Sequence, residues 1–155
     1  MFEYLIRIEP RIYDRFLTVE RNIKSASNSF YDSYLDMQEQ FIKHIVMEAG
    51  IDYKPNETCG ALLKKPEVKT LLVENLSVDE YTYNKLQDYT LKVNAHKHKG
   101  EKKIAVDTIV SYLRVFYSVT AAYCKKNAID CEEFQAECII KIFDLYDREN
   151  QALRK

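Results

Sequence analysis

Glycine and proline are nearly missing from this chain, three of each among 155 residues, where average usage of the two together is roughly 12%. An immunoglobulin-like sandwich or a β-barrel needs turn residues every few positions, and this composition does not supply them. Gly50, Gly60 and Gly100 stand alone, which excludes the clustered glycines of a P-loop or a dinucleotide fingerprint. Tryptophan is absent, and the four cysteines, Cys59, Cys124, Cys131 and Cys138, show no CxxC spacing. They read as reduced core thiols rather than a metal or disulfide framework. The uncharged stretch 115–124 is too short to span a bilayer. Glu3, Arg7 and Glu9 interrupt the apolar run that a secretory signal requires, so a cytoplasmic protein without a membrane partner is expected. Charge of one sign is lacking too: 23 basic side chains face 24 acidic ones. A uniformly basic coat for nucleic acid is thereby excluded, while a local patch is not.

What remains is an apolar fraction of 46%, enough for a real core, arranged at helical spacing. Pro10 suits a first helical turn, and Ile8, Ile12, Phe16, Val19 and Ile23 follow on one stripe. The polar run 25–29 breaks that pattern and offers N-cap side chains. Phe30, Tyr34, Met37, Phe41 and Ile45 then form the clearest stripe in the chain, with Gly50 placed to end it. So short a connection makes the two helices antiparallel neighbours. Residues 52–58 read as a loop around Pro55, followed by short apolar pieces at 61–63 and 68–73. Ser77 and Glu80 have capping-box spacing ahead of Leu86, Tyr89 and Val93. Asp107 is expected to cap a helix carrying Ile109, Leu113, Phe116, Val119 and Tyr123. Asp130 and Glu133 repeat the capping pattern before Phe134, Cys138, Ile142 and Leu145. The expectation is one all-α domain over 1–155, a bundle of five long helices and one or two short ones. Helices near 30–46 and 109–123 should form its centre, with 130–155 as an added C-terminal helix.

Chemistry concentrates in residues 92–100, Lys-Val-Asn-Ala-His-Lys-His-Lys-Gly, which hold two of the three histidines. From 92 to 103 there are five lysines, Lys92, Lys97, Lys99, Lys102 and Lys103, against one acid, Glu101. Lysines at a helix C-terminus complement the macrodipole, which accounts for a solvated loop with no ligand. The sharper reading is a phosphate-binding patch in which His96 and His98 move protons while lysines hold a phosphodiester. On RNA the 2′-hydroxyl supplies the nucleophile, so neither a metal nor another cofactor is called for. Asn94 either orients an oxygen of the substrate or caps a fraying helix. His96 and His98 could also grip zinc or nickel, but no nearby side chains complete a ligand set. His44 lies between apolar stripes and reads as a packed or solvent-edge residue. Most of the twelve tyrosines read as amphipathic packing; Tyr81, Tyr83 and Tyr89 share the helix leading into the basic stretch and could stack a base.

Three features taken together carry a family likeness: residues 13–20 with Arg21-Asn22 in the first helix, Asn28-Ser29-Phe30-Tyr31 opening the second, and a long helix ending in Lys92-Val93-Asn94-Ala95-His96. Over residues 4–127 this order resembles HEPN-like helical domains, especially those found beside restriction-enzyme motor subunits and other bacterial defence genes. The resemblance implies a HEPN-like bundle and a defence-related module contacting nucleic acid, with Lys92, Asn94, His96 and His98 at a metal-independent endoribonuclease site. A homodimer would bring two such basic loops face to face. It equally implies a non-catalytic module that docks on, or inhibits, a larger defence or nuclease protein. Active relatives place an arginine four to six positions before the histidine, and this sequence has Lys92 ahead of His98 instead. Lysine lacks the planar bidentate fork, so the exchange is not conservative.

Overall fold

A computed structural model describes residues 1–25, 29–96 and 104–153, with side chains described for all of these except 25, 93–96 and 145–153. The described residues are helical or irregular, with no strand among them. Five helices are long: α2 (Pro10–Ser25), α3 (Ser29–Glu48), α6 (Glu80–His96), α7 (Val106–Lys126) and α8 (Ala136–Leu153). Shorter pieces are α1 (Leu5–Ile8), α4 (Cys59–Leu63), α5 (Pro66–Lys69) and a π-helical turn, Thr70–Asn75. The all-α reading of the sequence therefore holds.

Helix α3 shows how the pattern becomes structure. Phe30, Tyr34, Met37, Phe41 and Ile45 are all buried, as their spacing requires. Gly50 ends the helix at φ +74°, with Ile51 N donating to Val46 O at 3.0 Å and Gly50 N to Met47 O at 3.1 Å. This pair of bonds satisfies two otherwise orphaned carbonyls. Helix α2 runs antiparallel beside it. Asn22 Nδ2 donates to Ser29 O at 3.1 Å at one end, and Arg15 pairs with Asp36 at 3.2 Å further along.

Aromatic rings bridge α3 to α7 across the centre. Tyr34 meets Tyr112 at 5.0 Å between centroids, and Phe41 meets both Phe116 at 6.0 Å and Tyr123 at 5.9 Å. Each such ring, fully buried, contributes on the order of 1.5–3 kcal/mol over leaving it in water. A buried polar link ties α3 to α4 and α6: Gln38 Nε2 donates to Thr90 Oγ1 at 3.2 Å and to Cys59 Sγ at 3.3 Å. Gly60 permits that approach, since a Cβ there would lie 3.2 Å from Thr90 Cγ2.

Three helix starts differ from the sequence expectation. Ser77 does not open α6; it sits at φ 59°, closing the π-helical turn, and Asp79 accepts from Thr82 N at 2.6 Å as the true cap. Asp107 lies inside the first turn of α7, whose N-cap is Ala105 with no side-chain bond. An acidic residue in that turn complements the positive helix end without capping it. Asp130 and Glu133 cap no helix, since α8 begins only at Ala136. Residues 129–135 run as irregular chain, because tertiary partners compete for their backbone. Arg7 Nη2 donates to Asp130 O at 2.6 Å and to Glu132 Oε1 at 2.9 Å. Tyr117 OH donates to Glu132 O at 2.7 Å, and Phe134 packs on Tyr117 at 5.5 Å. The N-terminal residues complete the core: Phe2, Tyr4 and Leu5 are fully buried. Thr120 Oγ1 donates to Phe116 O, so the Tyr4 hydroxyl is the donor in its 2.5 Å bond to Thr120 Oγ1.

Candidate nucleic-acid interface

Helix α6 carries the chain from the core toward the basic segment. Its inner face buries Thr82, Tyr83, Leu86, Tyr89 and Thr90. Tyr83 OH donates to Leu63 O, and Tyr89 stacks on Tyr112 at 3.8 Å and 16°. Burial pushes both phenols upward from their ordinary pKa. Neither ring is free to stack a base, which corrects that expectation for Tyr83 and Tyr89: the helical period turns them inward.

The outer face tells a different story. Tyr81 is 69% exposed, with the Lys85 ammonium over its ring at 5.5 Å. Asp88, Leu91 and Lys92 are exposed as well. Positions 81, 85, 88 and 92 recur at steps of four, three and four, which aligns them along one line of the helix. Sequence reasoning missed Lys85, although its spacing of four from Tyr81 and seven to Lys92 was available as a signal.

Of the expected site residues, Lys92 is thus placed in solvent on the last turns of α6. Asn94 and His96 belong to the final turn of that helix, and their side chains lie outside the described residues. Lys97, His98, Lys99, Lys102 and Lys103 lie outside the described residues entirely. The next described residue, Ile104, is buried.

The third histidine belongs to a separate polar cluster. His44 Nε2 lies 3.4 Å from Glu48 Oε2, and Tyr123 OH donates to Glu48 Oε1 at 2.6 Å. Burial, and then this carboxylate, raise the Tyr123 phenol well above its usual range. Glu9, Arg11, Gln40, Lys43 and Met47 share with His44 the lining of a cavity of about 170 Å³. Each cation there already has a carboxylate: Arg11 has Glu9 at 3.8 Å and Lys43 has Glu39 at 3.7 Å. That neutrality leaves no surplus charge for an anionic ligand. Tyr123 is 75 residues from Glu48 in the chain, so the cluster was invisible to local spacing.

Among the described residues no group of three or more His, Cys, Asp or Glu side chains could hold a metal ion. All four cysteines are free. Burial pushes the Cys59 thiol up to about 11 and that of Cys124 up to about 12, which keeps them protonated and unreactive near neutral pH. Among the described residues no helix is long and apolar enough to cross a membrane. No family model, curated protein or solved structure matches this chain.

Proposed function

We propose that this chain is a HEPN-like, defence-related module that contacts RNA through residues 92–103. The observation supporting this is an asymmetry of charge. The segment carries a net +4 in a chain whose net charge is −1, leaving −5 for everything else. Lys92, itself exposed on α6, begins that segment. Lysines so placed attract phosphates by releasing condensed counterions. His96 and His98 serve as proton acceptor and donor in cleavage, with the 2′-hydroxyl as nucleophile and Asn94 orienting an oxygen. One observation favours a second reading: lysine stands where active relatives carry arginine. It supports a non-catalytic module that docks on a larger defence or nuclease protein.

The test is binding of labelled RNA across a salt series, followed by product analysis. Affinity should fall steeply with salt. His96→Ala and His98→Ala should leave binding largely intact and abolish cleavage. Binding without cleavage by the wild-type protein would remove the ribonuclease assignment. No binding at low salt would remove the nucleic-acid reading and leave the docking module.

A further inference from the structure

Resting on that reading, we infer that the outer face of α6 is a stacking track for a single strand, with Tyr81 as its aromatic platform. Tyr81 differs from the tyrosines around it. Neighbouring tyrosines turn inward, as Tyr83, Tyr89 and Tyr112 do at 4%, 6% and 3% exposure. Tyr81 keeps 69% of its surface in water. A structural tyrosine buries its ring and wets only its hydroxyl. Its ring stands in water with the Lys85 ammonium over one face, 5.5 Å from the centroid. A base can lie against the ring once Lys85 swings from that face to meet the adjoining phosphate.

Lys92, exposed, stands two turns beyond Lys85 on the same line of the helix. The strand's phosphates would therefore run from Lys85 toward Lys92. Bases in a duplex are stacked on one another and hide their faces, so a ring platform selects single strands. Asp88, exposed between Lys85 and Lys92 on the same line, repels that backbone and sets an upper bound on affinity.

Fluorescence anisotropy on the full chain tests this, with a labelled twelve-nucleotide oligoadenylate and the matching RNA duplex as probes. Tyr81→Ala should weaken single-strand binding roughly 5- to 160-fold, the range for losing one base–aromatic stack, and leave duplex binding unchanged. Tyr81→Phe should bind as wild type, and Asp88→Asn should bind the single strand more tightly. Thermal unfolding of Tyr81→Ala at the wild-type temperature would confirm that the fold is intact. Wild-type-like single-strand binding by Tyr81→Ala would overturn the stacking track while the lysine-based reading stands. Equal losses for Tyr81→Ala and Tyr81→Phe would do the same, because the hydroxyl would then be the contact. If the wild-type protein binds neither probe at low salt, both readings fail together.

Discussion

Truncating Phe2 to alanine should destabilise the fold by about 3–5 kcal/mol, the range for removing a buried phenylalanine ring. Residues this close to a chain terminus ordinarily fray and tolerate change. Here the ring is fully buried. Its centroid lies 4.7 Å from that of Phe16, 6.2 Å from Phe116 and 6.5 Å from Phe134. One side chain therefore joins α2, α7 and the irregular segment before α8, and removing it leaves a cavity that all three must collapse around. Against a typical total of about 5–15 kcal/mol, the loss is severe. At roughly 2–4 °C per kcal/mol for a chain of this size, it corresponds to a drop of roughly 6–20 °C in Tm. Urea unfolding followed by circular dichroism measures it, with the midpoint falling and the slope unchanged. Tyr81→Ala is the matched control and should stay within about 0.5 kcal/mol. A Phe2→Ala loss under about 1 kcal/mol would refute the reasoning, because the N-terminal segment would then be undocked in solution.

Four further outcomes follow from the same structure. Single Lys→Ala changes at 92, 97, 99, 102 or 103 should each reduce the salt slope of single-strand binding by about 0.7 for every phosphate left without its lysine, read from log-log plots of affinity against salt. Stability should fall above about pH 9: burial holds Cys59 at about 11 and Cys124 at about 12, so the unfolded chain releases protons there that the folded chain keeps. Urea midpoints at pH 8 and pH 10.5 check the sign. Ala128 occupies the left-handed region at φ 53°, where Ile129 N closes onto Cys124 O at 2.9 Å; Ala128→Gly should stabilise by roughly 1 kcal/mol, and Gly50→Ala at φ +74° should cost about as much. Reducing agent should leave Tm unchanged, since the four thiols are free.

The parts of the fold that were legible in the sequence are those decided by local period. Buried stripes on α3 and α7, the stop at Gly50 and the antiparallel α2–α3 pair all follow from spacing alone. The helix starts were less legible because a capping pattern is a local offer that tertiary contacts can outbid. Asp130 and Glu133 have the right spacing, yet Arg7 and Tyr117, distant in the chain, take hold of the backbone and side chains at 130–132. Burial of Phe2 and Tyr4 was hidden for a similar reason: no local spacing reveals which distant helices will cover them. At the candidate interface, the sequence offered three tyrosines at similar odds. Only the turn of α6 separates Tyr81, facing water, from Tyr83 and Tyr89, facing the core.

Among the described residues several cations have a carboxylate partner: Arg7 with Glu132, Arg15 with Asp36, Lys43 with Glu39 and Lys65 with Glu57. Such pairs contribute little to stability where exposed, and the core is built from aromatic rings instead. The basic segment differs, with five lysines at 92–103 sharing one acid, Glu101. Lys102 and Lys103 are adjacent in the chain, and Lys97 and Lys99 are two apart, so their mutual repulsion is set by covalent spacing and is present in the folded and the unfolded chain alike. Neutralising the five lysines should therefore leave stability close to wild type. A structural role predicts a loss instead. Replacing all five with glutamine thus separates the two explanations in one protein: unfolding close to the wild-type temperature, with nucleic-acid binding lost, marks a segment kept for its ligand and not for the fold.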